Sequence, residues 1–250
     1  MSATAAAIAA PVGAAVGFGA GWLSLLLERI EGLEAEDRED REAYERELDS
    51  LTLRASEAGE APPASERWPT ESYGWTWLER VLCPGLGAAG FAAFAAHDPW
   101  AWGLAIHLLW VAVFVQIVGF DLKHRLILNR VTYPAIVVAL ALSLVSPGLT
   151  IAHSVAGGVA IGAFFLLMNL VSRGGIGLGD AKLGALVGAV CGIGFDLDHL
   201  AAVYAVIYGI FLGGFVALVL LLLRVRGLKD PIPFGPFLCV GAALVLFRGV

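Results

Sequence analysis

The chain has 250 residues, of which 58% are hydrophobic and 15% are charged. Its mean hydropathy of +0.79 excludes an ordinary soluble domain of this size and indicates a membrane protein. The net charge of −6 reflects acids concentrated in one segment, and we expect no nucleic-acid partner. Cys83, Cys191 and Cys239 are far apart and form no CxxC pair, which argues against a disulfide framework and against a zinc site.

Eight apolar stretches match, or nearly match, the length needed to cross a hydrocarbon core of about 30 Å. They lie at 5–27, 78–96, 100–120, 131–147, 150–172, 182–195, 199–223 and 234–250. We therefore predict an all-α fold, a polytopic transmembrane helix bundle of about eight helices. The sixth stretch is short, so a re-entrant segment is an alternative there. The first stretch lacks a basic n-region, so we expect it to stay in the membrane and not to be cleaved as a signal peptide.

Residues 28–77 differ in composition from the rest of the chain and divide it into three parts. Residues 1–27 are predicted to form the first transmembrane helix, 28–77 an acidic cytoplasmic helix and linker, and 78–250 a core of seven helices. The run "LERIEGLEAEDREDREAYERELDSLTLRASE" is predicted to extend helix one as a charged helix, because its apolar residues recur at loosely heptad-like spacing. Its acids form either a solvated helix face or a surface that attracts a basic partner segment.

The positions of lysine and arginine predict the orientation in the membrane. All 16 of these residues except Arg248 lie in segments that eight spans would place on one side. Because cytoplasmic loops carry the excess of lysine and arginine, we expect this side to be the cytoplasm and both termini to lie outside it.

Two acids lie at the ends of predicted spans on this cytoplasmic side. Asp121 follows the third span in "VGFDLKHRLILN", and Asp180 precedes the sixth in "GGIGLGDAKLG". Ionisable groups at membrane depth are costly and tend to face a bundle interior or a wet cavity. Two simpler interpretations are open. Asp180 would be an N-cap of the sixth helix, and Asp121 an interfacial acid balanced by Lys123 and Arg125.

Taken together, the two acids are compatible with a catalytic dyad. Two carboxyl groups that cannot both ionise cheaply share a proton. The ionised group then takes a proton from an attacking water, and the protonated group donates to a peptide carbonyl. Gly177 and Gly179 fit this hypothesis because glycine permits unusual backbone angles and a close approach of the substrate. Dinucleotide-binding, P-loop, HExxH and GxSxG signatures are missing from the sequence.

Three segments, "GLGDAKL" (177–183), "DLKHRLILN" (121–129) and "IPFGPFL" (232–238), resemble the type IV prepilin peptidases. These are GxGD-type aspartyl proteases of the bacterial inner membrane. The resemblance implies that Asp121 and Asp180 are the catalytic pair and that Gly177 and Gly179 belong to the signature. It also implies supporting positions at Lys182, Asn129, Pro233, Phe234, Gly235 and Pro236.

Two of these supporting positions have simpler explanations. Lys182 would be a snorkelling side chain at a helix end. The run "IPFGPF" would be a helix start with proline in the first turn.

The chain departs from this family in its first loop. Many members carry paired CxxC motifs there, thought to bind zinc, and also methylate the new amino terminus with S-adenosylmethionine. Residues 28–77 contain no cysteine. We therefore expect no zinc site and no cofactor for proteolysis, and S-adenosylmethionine only if methylation is retained.

The sequence thus predicts a membrane aspartyl endopeptidase that removes basic leaders from type IV prepilins or pseudopilins at the cytoplasmic face of the bacterial inner membrane. Its partners would be those precursors and the lipid bilayer. Two alternatives stay open. One is a GxGD protease for other membrane substrates, such as preflagellins. The other is a transporter or assembly scaffold whose acids bind a proton or cation, although no internal repeat of the transporter kind is visible.

Overall fold

A computed structural model describes residues 3–58, 73–99, 101–146, 148–172, 177–194, 200–224 and 232–249. All regular secondary structure in these ranges is helical. The α-helices are α1 (Ala3–Glu31), α2 (Leu33–Ala58), α3 (Cys83–His97), α4 (Trp102–His124), α5 (Asn129–Leu142), α6 (Ile151–Val171), α7 (Leu178–Cys191), α8 (Ala201–Leu222) and α9 (Gly235–Arg248). A π-helical turn, Leu78–Leu82, leads directly into α3.

The predicted fold class is confirmed: the protein is an all-α helix bundle of the multi-pass membrane type. Each predicted apolar stretch contains one helix, and five of the helical segments are long and apolar enough to cross a membrane. These are α1, the π turn with α3, α4, α6 and α8. Helices α5, α7 and α9 have only 14 residues each. The count of eight spans and the division at residues 27 and 77 stay predictions.

The charged helix does not continue helix one as predicted. Helix α1 ends at Glu31, and α2 starts at Leu33. Gly32 between them has φ = +69°, a conformation that glycine adopts without the steric cost other residues incur. The break therefore follows from one residue that a heptad-like apolar pattern does not take into account.

The short helices α7 and α9 lie at the centre of the bundle, where they pack on each other and on α8, and α9 also packs on α4. Their side chains Leu183, Leu186, Leu238 and Ala242 are fully buried, whereas α8 presents most of its side chains outward. A helix that is apolar all round belongs in a core or in lipid, so composition does not separate these two cases. The burial of the side chains separates them: α7 and α9 belong to the core, whereas α8 faces outward.

Helices α6 and α7 cross at two glycines, and this contact permits a stability test. A Cβ placed on Gly188 would lie 2.2 Å from the carbonyl oxygen of Gly157. Because small residues let membrane helices approach closely and overpacking costs about 1–3 kcal/mol, Gly188→Ala should lower the free energy of unfolding by that amount. The measurement is thermal unfolding in detergent, with Gly214→Ala as control, since a Cβ there meets nothing within 4 Å. Equal melting temperatures for the two variants would contradict the packing argument.

Candidate active site

Asp121 occupies the last turn of α4 and points into the bundle, with only 4% of its surface exposed. The helix ends one turn later at Arg125, which adopts a left-handed conformation with φ = +54°. The amide of Arg125 donates to the carbonyl of Asp121 at 2.9 Å. The helix ends at this C-cap, and residues 126–128 connect it to α5.

The side chain of Asp121 packs against the first residue of α9. A Cβ on Gly235 would lie only 2.5 Å from Oδ2 of Asp121, so the carboxyl group occupies space that any other residue would need. Among the described residues, no donor bonds to this buried oxygen. Buried polar atoms usually have a partner, so an unpaired buried carboxyl oxygen is a feature that helix packing alone does not explain.

Asp180 lies in the first turn of α7 and is half-buried. The N-cap interpretation is wrong, because Gly177 occupies the N-cap position and no side chain caps this helix. The amide of Asp180 donates to the carbonyl of Gly177 at 3.1 Å. Its carboxyl group lies close to Gly177, the residue at the N-terminus of the helix.

Neither signature glycine adopts an unusual backbone angle, since Gly177 and Gly179 both have a negative φ. Gly179 serves close packing, because a Cβ there would lie 3.2 Å from Cβ of Ile127, in the connection between α4 and α5. A Cβ on Gly177 would lie 3.5 Å from Oδ2 of Asp180, which is an ordinary contact distance. Gly179 therefore brings the start of α7 against the chain that follows Asp121.

Asp121 and Asp180 line the same cavity, which has a volume of about 750 Å³. The remaining lining residues come from three helices, α6, α7 and α8, and from three connections: Arg125, Leu126, Ile127, Phe164, Phe165, Met168, Gly177, Leu178, Gly179, Lys182, Ile210, Ile232, Pro233 and Phe234. The structure thus brings together two acids that are 59 positions apart in the chain, while their catalytic role stays a prediction.

Lys182 and Asn129, two of the supporting positions, bond to each other. The Nζ atom of Lys182 donates to Oδ1 of Asn129 at 2.7 Å and lies 5.9 Å from the ring centroid of Tyr133. Lys182 is therefore more than a snorkelling side chain, because it ties the start of α7 to the start of α5. It also lines the cavity.

The run of Pro233, Phe234, Gly235 and Pro236 forms the start of α9, as the simpler interpretation predicts. Phe234 is the N-cap residue and Pro236 lies in the first turn. Pro233 and Phe234 also line the cavity, where the ring of Phe234 lies 5.8 Å from that of Phe165. This segment is both a helix start and a wall of the site.

Lys123 does not balance Asp121, contrary to the interfacial interpretation. Its Nζ atom bonds to Glu28 and Glu79 at 2.5 and 2.7 Å, on a side of α4 that does not line the cavity. Arg125 does share the cavity with the acids. Sequence reasoning missed Phe164, Met168 and Ile210 as lining residues, because apolar residues in membrane helices carry no local signal for a site.

The three cysteines lie in three different helices, α3, α7 and α9, and all are buried. Among the described residues, no group of three or more His, Cys, Asp or Glu side chains is arranged to hold a metal ion. The expectations about zinc and S-adenosylmethionine stay predictions.

Comparison with known proteins shows which family the chain resembles. Residues 102–222 match the model of the type IV leader peptidase family. The chain is 28% identical over 207 residues to an Aeromonas hydrophila protein named prepilin leader peptidase/N-methyltransferase, covering 81% of this chain and 65% of the relative. Relatives with the same name from Dichelobacter nodosus and Xanthomonas campestris pv. campestris are 27% and 26% identical, covering 78% and 80% of this chain.

The chain spans 71% and 65% of the length of those last two relatives, so it corresponds to only about two thirds of such proteins. No solved structure matches it. The resemblance seen in the sequence is nevertheless confirmed: residues 102–222 match the type IV leader peptidase family.

Proposed function

We propose that the protein is an aspartic-type endopeptidase that removes leader peptides from type IV prepilins or pseudopilins. The observation that carries the proposal is the single cavity lined by Asp121 and Asp180. The family match and the names of the relatives support the substrate class. The division of lysine and arginine between the two sides of the bundle supports an active site at the cytoplasmic face of the inner membrane.

In the proposed mechanism, the two carboxyl groups share one proton because two like charges in one cavity do not both form cheaply. The ionised group takes a proton from water, whose oxygen attacks the carbon of the scissile peptide. The protonated group donates to the carbonyl oxygen, which gives a neutral tetrahedral intermediate. Collapse of this intermediate breaks the C–N bond, and a carboxyl proton passes to the leaving amine.

The walls of the cavity suit a peptide at the border between an apolar helix and water. Phe164, Met168 and Ile210 supply apolar surface beside the acids, and Arg125 and Lys182 supply positive charge. These cations favour the ionised carboxylate that acts as the base. They also act on the developing charge of the carbonyl oxygen during attack.

The proposal is tested with purified protein in lipid nanodiscs, a type IV prepilin and S-adenosylmethionine. Mass spectrometry should show release of the intact leader, and the same spectra report whether the new amino terminus gains a methyl group. A generic transmembrane helix incubated in parallel should stay intact. Cleavage of that helix but not of the prepilin would favour a GxGD protease of different specificity. Proton flux into vesicles without any cleavage would favour a transporter.

The acids of residues 34–47 are proposed to attract the basic leader. Replacing them by their amides should lower the rate of leader cleavage several-fold at about 10 mM salt, where the Debye length is about 30 Å. At about 1 M salt the Debye length is about 3 Å, so the variant and the wild-type protein should cleave at the same rate. Identical rates at low salt would leave these acids as a solvated helix face.

A further inference from the structure

A buried cluster of charged side chains lies beside the active site without lining its cavity. It consists of Glu28 from α1, Glu79 from the π turn, and Lys123 and His124 from α4. Their side chains are 7%, 2%, 1% and 1% exposed. Lys123 bonds to both carboxylates, and Nε2 of His124 lies 2.9 Å from Oε1 of Glu28. We call these four residues the charged cluster.

The charged cluster also binds the backbone of residues 74–76, which precede the π turn. The amide of Gly74 donates to Oε2 of Glu28 at 3.1 Å, and Lys123 donates to the carbonyl of Gly74 at 2.7 Å. The amide of Thr76 donates to Oε2 of Glu79 at 2.8 Å, and its hydroxyl group bonds to the same oxygen. Three helical elements and one connecting segment therefore converge on Lys123.

A neighbouring aromatic residue links this convergence to α2. The ring of Tyr73 stacks on His124 with the centroids 5.7 Å apart. Its hydroxyl group donates to the carbonyl of Leu33, the first residue of α2, at 3.3 Å. The charged cluster thus lies where the acidic helix α2, residues 74–76 and the helices α1 and α4 meet.

Stability alone does not account for such a cluster. Burying four ionisable side chains costs desolvation free energy, and well-packed apolar residues often stabilise a fold as well or better. What paired and hydrogen-bonded charges add is a defined relative position of the elements that carry them. The element most affected here is the last turn of α4, because Lys123 and His124 both belong to it.

That turn also carries Asp121, two residues before Lys123, and Asp121 lines the cavity. We infer that Lys123 is a positioning residue: by binding Glu28 and Glu79, it fixes the last turn of α4 and so holds Asp121 at the distance from Asp180 that proteolysis needs. The inference rests on the proposed function.

The test compares Lys123→Met with Ser24→Ala. Ser24 accepts a hydrogen bond from Gln116 at 3.1 Å, so its loss also removes a buried polar contact between α1 and α4, farther from the cavity. For prepilin cleavage, Lys123→Met should lower kcat at least tenfold with little change in KM, and Ser24→Ala should leave both constants near their wild-type values. Equal kcat for the two variants would overturn the inference.

A second variant tests whether Lys123 acts by positioning Asp121 or only by neutralising the buried acids. In Lys123→Met with Glu79→Gln, one positive and one negative charge are removed together, so thermal stability should return toward that of the wild-type protein. The value of kcat should stay low, because the contacts of Lys123 are still missing. Recovery of kcat along with stability would show that the cluster acts through stability alone and would overturn the inference.

A spin label gives a readout that does not depend on activity. Leu122, on the last turn of α4, is 37% exposed, and a label at Leu122→Cys reports the mobility of that turn. Its spectrum should be that of an immobilised label in the wild-type and Ser24→Ala backgrounds and sharpen in Lys123→Met. An unchanged spectrum would overturn the inference. Failure of the wild-type protein to cleave a prepilin would instead overturn the proposed function, with the spectrum still deciding the role of Lys123.

Discussion

Replacing either Asp121 or Asp180 by asparagine should lower kcat for prepilin cleavage about 100- to 10,000-fold, the usual loss when a general acid or base is removed. An amide neither accepts the proton of the attacking water nor donates one to the carbonyl. Because both acids are needed in one cycle, the double variant should be no worse than the more damaged single variant. Initial rates of leader release, measured by mass spectrometry with saturating prepilin, give the comparison.

Asp98→Asn is the matched control for these two variants. Asp98 is also an acid at a helix end and lies 2.6 Å from Nδ1 of His107, but neither residue lines the cavity that holds Asp121 and Asp180. Its amide variant should cleave at the wild-type rate. Wild-type cleavage by Asp121→Asn or Asp180→Asn would remove that residue from the mechanism. In the wild-type protein, the pH–rate profile should report the two acids as a coupled pair.

The sequence was sufficient to predict the helices but not which of them form the centre. Apolar length predicts a span because the bilayer sets it, and each predicted stretch does contain a helix. The same apolar composition serves both lipid contact and burial, so it does not show that α7 and α9 are central. The predicted stretch starts at residue 182, four residues after α7 begins. The glycines and Asp180 before Lys182 give this helix start the composition of a loop.

The site was predictable to the extent that isolated acids near a membrane interface are costly. Asp121 and Asp180 are two such acids, and they share a cavity. The interpretation that Lys123 balances Asp121 is wrong, because sequence proximity to Asp121 does not reveal which side of the last helical turn a long side chain takes. Its partners Glu28 and Glu79 lie 95 and 44 positions away, beyond the reach of any local pattern.

The segment that matches the family model ends at residue 222, yet residues 232–234 beyond that point also line the cavity. Helix α9 contributes Gly235, whose backbone contacts Asp121, and the residues before it supply Pro233 and Phe234 to the cavity wall. The geometry therefore assigns part of the site to α9, and a substitution there tests whether the position of Asp121 matters as much as its chemistry.

Gly235→Ala should lower kcat about 10- to 100-fold while the protein stays folded. The new methyl group would lie 2.5 Å from Oδ2 of Asp121 and 3.3 Å from Cδ2 of Leu183, so the carboxyl group must move. A displacement of about 1 Å at a reacting group costs up to about 100-fold in rate. Because the chemistry of Asp121 is retained, the loss should be smaller than for Asp121→Asn, and KM should change little.

Gly85→Ala provides the matched control, since Gly85 is exposed in the first turn of α3 and a Cβ there meets nothing within 4 Å. Alanine is a better helix former than glycine by about 1 kcal/mol, so this control should be fully active and no less stable than the wild-type protein. Thermal unfolding in detergent shows whether Gly235→Ala is folded at the assay temperature. A folded Gly235→Ala protein that cleaves prepilin at the wild-type rate would mean that Asp121 can shift without loss. The dyad would then not depend on the contact with α9.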